Sequence, residues 1–241
     1  MTALLLRLAG PLQSWGTSSR FTRRATDRTP SKSGIVGLLA AAQGRRRTDP
    51  LEELLSLRFA VRTEQPGRIE RDLQTAGRPG ERTPVSISTR HYLADAVFLA
   101  AIEGDTNLLE GLDGALRRPY FPLFLGRRSC PPAGPIALGL RDGDVVTALR
   151  AEPWRASPWF QAAHLAPSAD LELVADCTPD TAGAELVRDE PVEHGFDPHH
   201  RQWEWRSVLR HDPVTVANPR FDDEAARRRR RDEHAPLEAL W

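Results

Sequence analysis

The first 140 residues run in the order strand, helix, strand, strand, helix, strand, and that order leaves few folds open. Residues 3–8, Ala-Leu-Leu-Leu-Arg-Leu, are an apolar run of strand length, ended by Gly10-Pro11. A helix is predicted from about residue 34 to 43, because Ile35, Leu38, Leu39 and Ala42 recur at helical spacing. Ser31 or Ser33 stands where its N-cap is needed, and Gly37 is expected to allow close packing on a sheet. Asp49-Pro50-Leu51-Glu52 carries a second helix-start signal: a cap, a proline at the first position and an acid. Residues 57–62 and 92–102 read as strands. Between residues 107 and 116, Asn107 caps a helix bearing Leu108, Leu109, Leu112 and Leu116. Residues 121–125 and 136–140 read as short strands around the turn from Gly126 to Gly134.

This order is the split βαβ of the α+β, ferredoxin-like class, a βαββαβ core also used by RNA-recognition domains. The first domain is expected to span 1–145. It is interrupted at 63–90 by a connection with Pro66, Gly67, Gly77, Pro79, Gly80 and Pro84 and five arginines. A connection this long inside a domain is usually functional or disordered. Strand signals beyond residue 150 are short and broken by prolines, so 146–226 is expected to be a small, mostly β region. The arginine run 227–231 lies in a polar tail, 227–241.

The 241 residues carry 33 basic and 33 acidic side chains, so the formal net charge is zero. With 40% hydrophobic residues, a disordered or fibrous chain is excluded. The longest apolar run, 35–42, is too short to cross a bilayer, and the first residues lack the basic start of a signal peptide. Two cysteines, Cys130 and Cys177, supply neither a disulfide framework nor a four-thiolate zinc site. These features read as a soluble cytoplasmic protein with no membrane association and no metal or other cofactor. The charge is unevenly placed: residues 1–130 hold 20 basic against 13 acidic side chains, and residues 131–241 hold the reverse balance. A basic N-terminal half suggests a polyanionic partner, although a solvated basic face has the same composition.

Candidate contacts concentrate in two places. Gln13, Trp15, Arg24, Arg28, Ser31, Lys32 and Ser33 precede or open the first helix, whose N-terminus offers unpaired N–H groups to phosphate. Trp15 is placed to stack a base, or it is a core tryptophan among solvated arginines. The second place is Gly126-Arg127-Arg128, where glycine permits close approach and two cations follow. His91-Tyr92 is an acid-base pair for a metal-independent ribonuclease, or a strand-start histidine beside a packed tyrosine. His194, Asp197, His199 and His200 have no common metal spacing.

Three long motifs resemble the CasD (Cas-five) family of the type I-E CRISPR Cascade complex. They are Leu6-Arg-Leu-Ala-Gly-Pro-Leu-Gln-Ser-Trp-Gly16, Arg24-Ala-Thr-Asp-Arg-Thr-Pro-Ser-Lys-Ser-Gly-Ile-Val-Gly-Leu-Leu39 and Arg117-Arg-Pro-Tyr-Phe-Pro-Leu-Phe-Leu-Gly-Arg-Arg-Ser-Cys-Pro131. They occur in order over about residues 3–140; the later match rests on Arg201-Gln-Trp-Glu-Trp-Arg206. The resemblance implies a member of the RAMP superfamily of repeat-associated RNA-binding proteins. It implies a subunit capping the 5′ handle of the CRISPR guide RNA, beside the large subunit and the last backbone subunit. Target DNA is then met only through the complex. A thumb-like β-hairpin insertion reaches over the RNA in this family, and 63–90, with Arg68, Arg71, Arg78, Arg82 and Arg90, stands where it belongs. In this branch the subunit does not cut the guide. In a sister branch it does, so repeat-specific endoribonuclease activity is the alternative. A single lysine departs from a lysine-assisted active site.

Overall fold

In the computed structural model, which describes residues 1–17, 23–75, 87–193, 196, 202–224 and 226–228, β1 (Thr2–Ala9) runs inside the main sheet. Successive strand side chains point to opposite faces. Leu4, Leu6 and Leu8 enter one apolar cluster, and Ala3 and Leu5 enter another. A strand buried on both faces requires the continuous apolar run that residues 3–8 supply.

β1 pairs antiparallel with β7 (Val97–Glu103) on one side and β8 (Ala137–Asp142) on the other, and β7 pairs with β4 (Arg58–Gln65). The strand order is β4-β7-β1-β8. α1 (Lys32–Ala42) lies between β1 and β4 in the chain, and α2 (Thr106–Arg117) between β7 and β8. Both helices cover the Leu4–Leu6–Leu8 face, through Ile35, Leu38 and Leu39 and through Leu109, Leu112 and Leu116. The opposite face is covered by α3 (Val145–Ala151) and the segment after it, with Val145, Leu149 and Trp154 buried there. Short α4 (Pro158–Ala163) follows. β9 (Ser168–Asp176), β10 (Glu185–Pro191) and β11 (Trp203–Ala217) extend the same sheet to the order β10-β11-β9-β4-β7-β1-β8. The chain is thus a mixed α and β protein built on a mainly antiparallel sheet.

A second, four-stranded sheet joins β2 (Leu12–Gln13), β3 (Arg23–Arg24), β5 (Arg68–Thr75) and β6 (Ile87–Ala94). β5 and β6 form an antiparallel ladder from Arg68↔Ala94 to Thr75↔Ile87 that takes in both ends of the long insertion and runs past residue 90 to Ala94. Arg78 and Arg82 lie outside the described residues, as do His194, Asp197, His199 and His200.

Several local expectations are corrected. Residues 121–125 are not a strand: Pro119 and Pro122 lack N–H donors, and the neighbouring N–H groups of Tyr120 and Phe121 bond to the end of α1 instead. The signal at Pro50 yields only a single 3-10 turn, Glu52–Leu54. The cap of α2 is Asp105, whose Oδ1 accepts from Leu108 N at 3.1 Å, and Asn107 lies within the helix. The apolar run 92–102 is split by Asp95, which has a φ of 56°. Gly37 faces the ring of Phe196, not the sheet. β11 is 15 residues long despite Pro213, because that proline sits in the bulge between His211 and Val214, where no ladder donor is required.

One buried ion pair fastens the segment after α3 to the sheet. Arg62 on β4 is wholly buried; its Nε meets Glu64 Oε1 at 2.6 Å. Its terminal nitrogens donate to the carbonyls of Leu149 (2.6 Å), Glu152 (2.8 Å) and Pro153 (2.9 Å). Burial raises the Glu64 carboxyl above its usual range, and Arg62 opposes that rise. Arg62→Ala leaves three carbonyls without their donor and the buried Glu64 carboxylate without its cation, with only the Arg155 N–H still donating to it. The expected loss is about 3–5 kcal/mol, read from urea denaturation, and Glu64→Ala in the same chain restores part of it.

Candidate nucleic-acid interface

The first candidate loop is built from the inside. Gln13 is fully buried, donating from Nε2 to Leu8 O (3.2 Å) and Ala96 O (2.7 Å), while its Oε1 accepts from Trp15 Nε1 at 3.0 Å. Trp15 is 1% exposed, and a Cβ added at Gly34 would stand 2.9 Å from its ring. Trp15 is therefore a core residue packed on α1. The base-stacking role expected of it is corrected, since neither ring face is open.

The helix N-terminus is occupied as well. Ser31 caps α1, accepting from Gly34 N at 3.2 Å, and Ser33 is buried beside it. Lys32 N donates to Asp189 Oδ2 at 2.8 Å. Lys32 Nζ meets Asp176 Oδ2 at 3.1 Å and Glu190 Oε1 at 2.8 Å. Arg206 joins them, donating to Asp189 Oδ1 at 2.5 Å and to Asp176. The phosphate seat predicted at Ser31, Lys32 and Ser33 thus already holds a carboxylate from β10, and the lysine is spent on internal acids. Burial raises the Glu190 carboxyl, the charge of Asp176 adds to this, and Lys32 and Arg206 oppose it.

Cations that do face outward come from the next elements. Arg24 and Arg28 are exposed, Arg24 on β3 and Arg28 in the following turn. Arg127 is half-buried and works inward. Its guanidinium donates to His91 O (3.2 Å) and Arg24 O (3.0 Å) and lies 4.8 Å from the centre of the Tyr92 ring. It fastens the turn to the small sheet, while Arg128 beside it is exposed. Gly126 makes the turn possible. Its φ is +84°, and a Cβ there would lie 1.7 Å from Ser14 O. The close approach inferred from this glycine is real, but its partner is the protein's own backbone.

His91 and Tyr92 are neighbours on β6, so their side chains leave opposite faces of the strand. Tyr92 is 4% exposed. Burial by itself would raise its phenol, but hydrogen bonds with Ser129 and Arg127 and the Arg127 charge outweigh it and hold the group below its usual value. The pair does not converge on one scissile bond. Three buried polar atoms here have no hydrogen-bond partner among the described residues: Asp27 Oδ2, Arg90 Nε and His91 Nδ1. On the hairpin, Arg68 is paired with Glu70 at 2.9 Å, and Arg71 is exposed opposite His91.

A groove of about 880 Å³ runs between α1 and the turn. Ser33, Gly34, Gly37, Ala41 and Arg45–Arg47 line one wall; Phe121, Pro122, Phe124, Gly126 and Arg128 line the other. Arg45 is held by Glu53 and Gln43. Arg46, Arg47 and Arg128 are exposed and make no ion pair among the described residues. Residues 45–47 are not among the contacts expected from the sequence. Three consecutive arginines just beyond a helix end were the signal available. No group of three or more metal-ligating side chains occurs among the described residues, and none of their helices is long and apolar enough to cross a membrane.

With this geometry in place, residues 3–211 match the profile of the CRISPR-associated protein (Cas5) family. The chain belongs to the CRISPR-associated Cas5 family. The Cascade subunit CasD of Escherichia coli (strain K12) is 36% identical over 156 residues, which cover 56% of this chain and 70% of that relative. A crystal structure of a Cas protein superimposes with a TM-score of 0.67 at 36% identity, over 91% of this chain and 97% of that one. A chain of a CRISPR RNA-guided surveillance complex superimposes with a TM-score of 0.72 at 34% identity, over 89% and 91%.

Two outcomes follow for this Cas5 chain. Gly126→Ala meets both a backbone clash and a disfavoured φ, and the expected loss is at least about 2 kcal/mol, read from thermal melting. Glu190 has a raised folded-state pKa. Its contribution to stability is therefore full below the usual glutamate value and declines as pH rises through the folded value. Glu190→Gln is expected to remove that decline, measured as the urea midpoint from acidic to neutral pH. An unchanged pH profile would show that Glu190 does not carry it.

Proposed function

We propose that this chain is the Cascade subunit that holds the 5′ handle of the CRISPR guide RNA and does not cut it. The observation that carries the reading is one groove rimmed by exposed arginines without acidic partners among the described residues, Arg46, Arg47 and Arg128, next to exposed Arg24 and Arg28. The CasD relative and the surveillance complex support a place in a type I-E Cascade assembly. The order β4-β7-β1-β8, with a helix in each crossover, supports a ferredoxin-like RAMP core. The β5–β6 hairpin supports a thumb that reaches over the RNA toward the last backbone subunit, with Arg68, Arg71 and Arg90 on its described part. The large subunit is the second protein neighbour in this reading, and target DNA is engaged through the complex. The opposite-facing side chains of His91 and Tyr92 support a non-catalytic role.

Arg24, Arg28, Arg46, Arg47 and Arg128 each meeting one phosphate give a slope of about −3.5 in log affinity against log salt for single-stranded RNA. Arg46→Ala with Arg128→Ala flattens it by about 1.4. Lys32→Met, whose amine faces inward, lowers stability and leaves the slope alone. Filter binding across a salt series reads all three. A slope unchanged in the double arginine variant, or lost with Lys32, contradicts the assignment.

A further inference from the structure

Tyr120 and Phe121 are large aromatic residues left open on the surface, at 74% and 36% exposure. Their rings meet edge to face with centroids 4.8 Å apart. They are nonetheless held firmly. Tyr120 N donates at 3.0 Å to Ala42 O, a carbonyl that the end of α1 leaves without a helical donor, and Phe121 N donates at 3.2 Å to Ala41 O, which also accepts from Gly44 N. Pro119 and Pro122 restrict the backbone on both sides. Gly44, with a φ of +81°, lets the chain turn beneath the tyrosine: a Cβ there would lie 2.7 Å from Tyr120 Cγ. One side of the ring rests on this glycine, and most of its surface faces solvent.

The charge around the pair says what it meets. Arg46, Arg47 and Arg118 are exposed and make no ion pair among the described residues. Phe121 lines the same groove as Arg46, Arg47 and Arg128. An apolar protein face brought against this edge would leave those cations uncompensated. A polyanion with flat apolar groups along it satisfies both features. Single-stranded RNA has that chemistry, with phosphates for the arginines and unstacked bases for the rings.

We infer that the Tyr120–Phe121 edge is a stacking platform for an unpaired base of the RNA, at the mouth of the α1 groove. The inference rests on the RNA-binding reading above and adds to it a contact with a base. A platform on a fixed backbone suits this task, because the segment that carries the two rings is already held by hydrogen bonds and little backbone freedom is lost on binding.

The test uses the full chain and single-stranded RNA of the repeat-derived handle sequence, with single abasic positions walked along it. Affinities are measured by fluorescence anisotropy. The wild-type chain is expected to bind the intact RNA and to lose about tenfold at one abasic position. Tyr120→Ala is expected to weaken binding of the intact RNA by about tenfold and to erase the penalty at that position, with the salt slope unchanged. Tyr120→Phe keeps the ring and is expected to keep both properties. If Tyr120→Ala binds the intact RNA as tightly as wild type while Arg46→Ala with Arg128→Ala is impaired, the platform is wrong and the RNA-binding reading stands. Failure of the wild-type chain to bind RNA overturns both. If Tyr120→Ala binds RNA normally yet fails to join the neighbouring subunits, the edge is a protein contact and the inference falls.

Discussion

The first turn of α1 is where the two halves of the chain meet, and a buried ion cluster holds them there. Lys32 and Arg206 face Asp176, Asp189 and Glu190, with Asp189 also accepting the Lys32 backbone N–H. Each charge is largely withdrawn from water, so its value lies in completing the others more than in net stability. The cluster fixes β9, β10 and β11 against the helix whose other end carries Gly44 and the three arginines. It also closes the helix N-terminus to outside anions. In the proposed reading, RNA binding then falls to arginine side chains along the groove.

The same logic explains why the small sheet and the glycine-rich turn belong to one unit. Ser14 O presses on Gly126, Arg127 reaches back to His91 and Arg24, and Gln13 ties Trp15 to the backbone of β1 and the start of β7. Residues that look like ligand contacts by type are consumed in placing the exposed ones. Arg128 is open because Arg127 is not. Arg24 and Arg28 leave the surface at fixed points because the strand between them and the turn is fastened from below.

Much of the fold was legible because period and length carry it. The run Leu4–Leu8 and the helical spacing of Ile35, Leu38, Leu39 and Ala42 are local signals, and both proved to be core. The reading failed where partners lie far along the chain. Lys32 is an exposed-type residue by composition, but its acids, Asp176, Asp189 and Glu190, lie far along the chain. Trp15 has the same chemistry whether it stacks a base or fills a core; only Gly34 opposite it decides. Residues 121–125 are apolar enough for a strand, yet the flanking prolines turned them along α1. That displacement is what left Tyr120 and Phe121 open, a feature invisible to periodicity.

In the proposed function, RNA lies on the face formed by the small sheet, the turn after residue 125 and the α1 groove. Ultraviolet crosslinking of the assembled guide-RNA complex, read by peptide mass spectrometry, tests it most directly. Crosslinked peptides covering Arg24–Arg28, Arg45–Arg47 and Tyr120–Arg128 are expected. Crosslinks confined to α3, α4 and the β9–β11 edge, with none on those three segments, would contradict it.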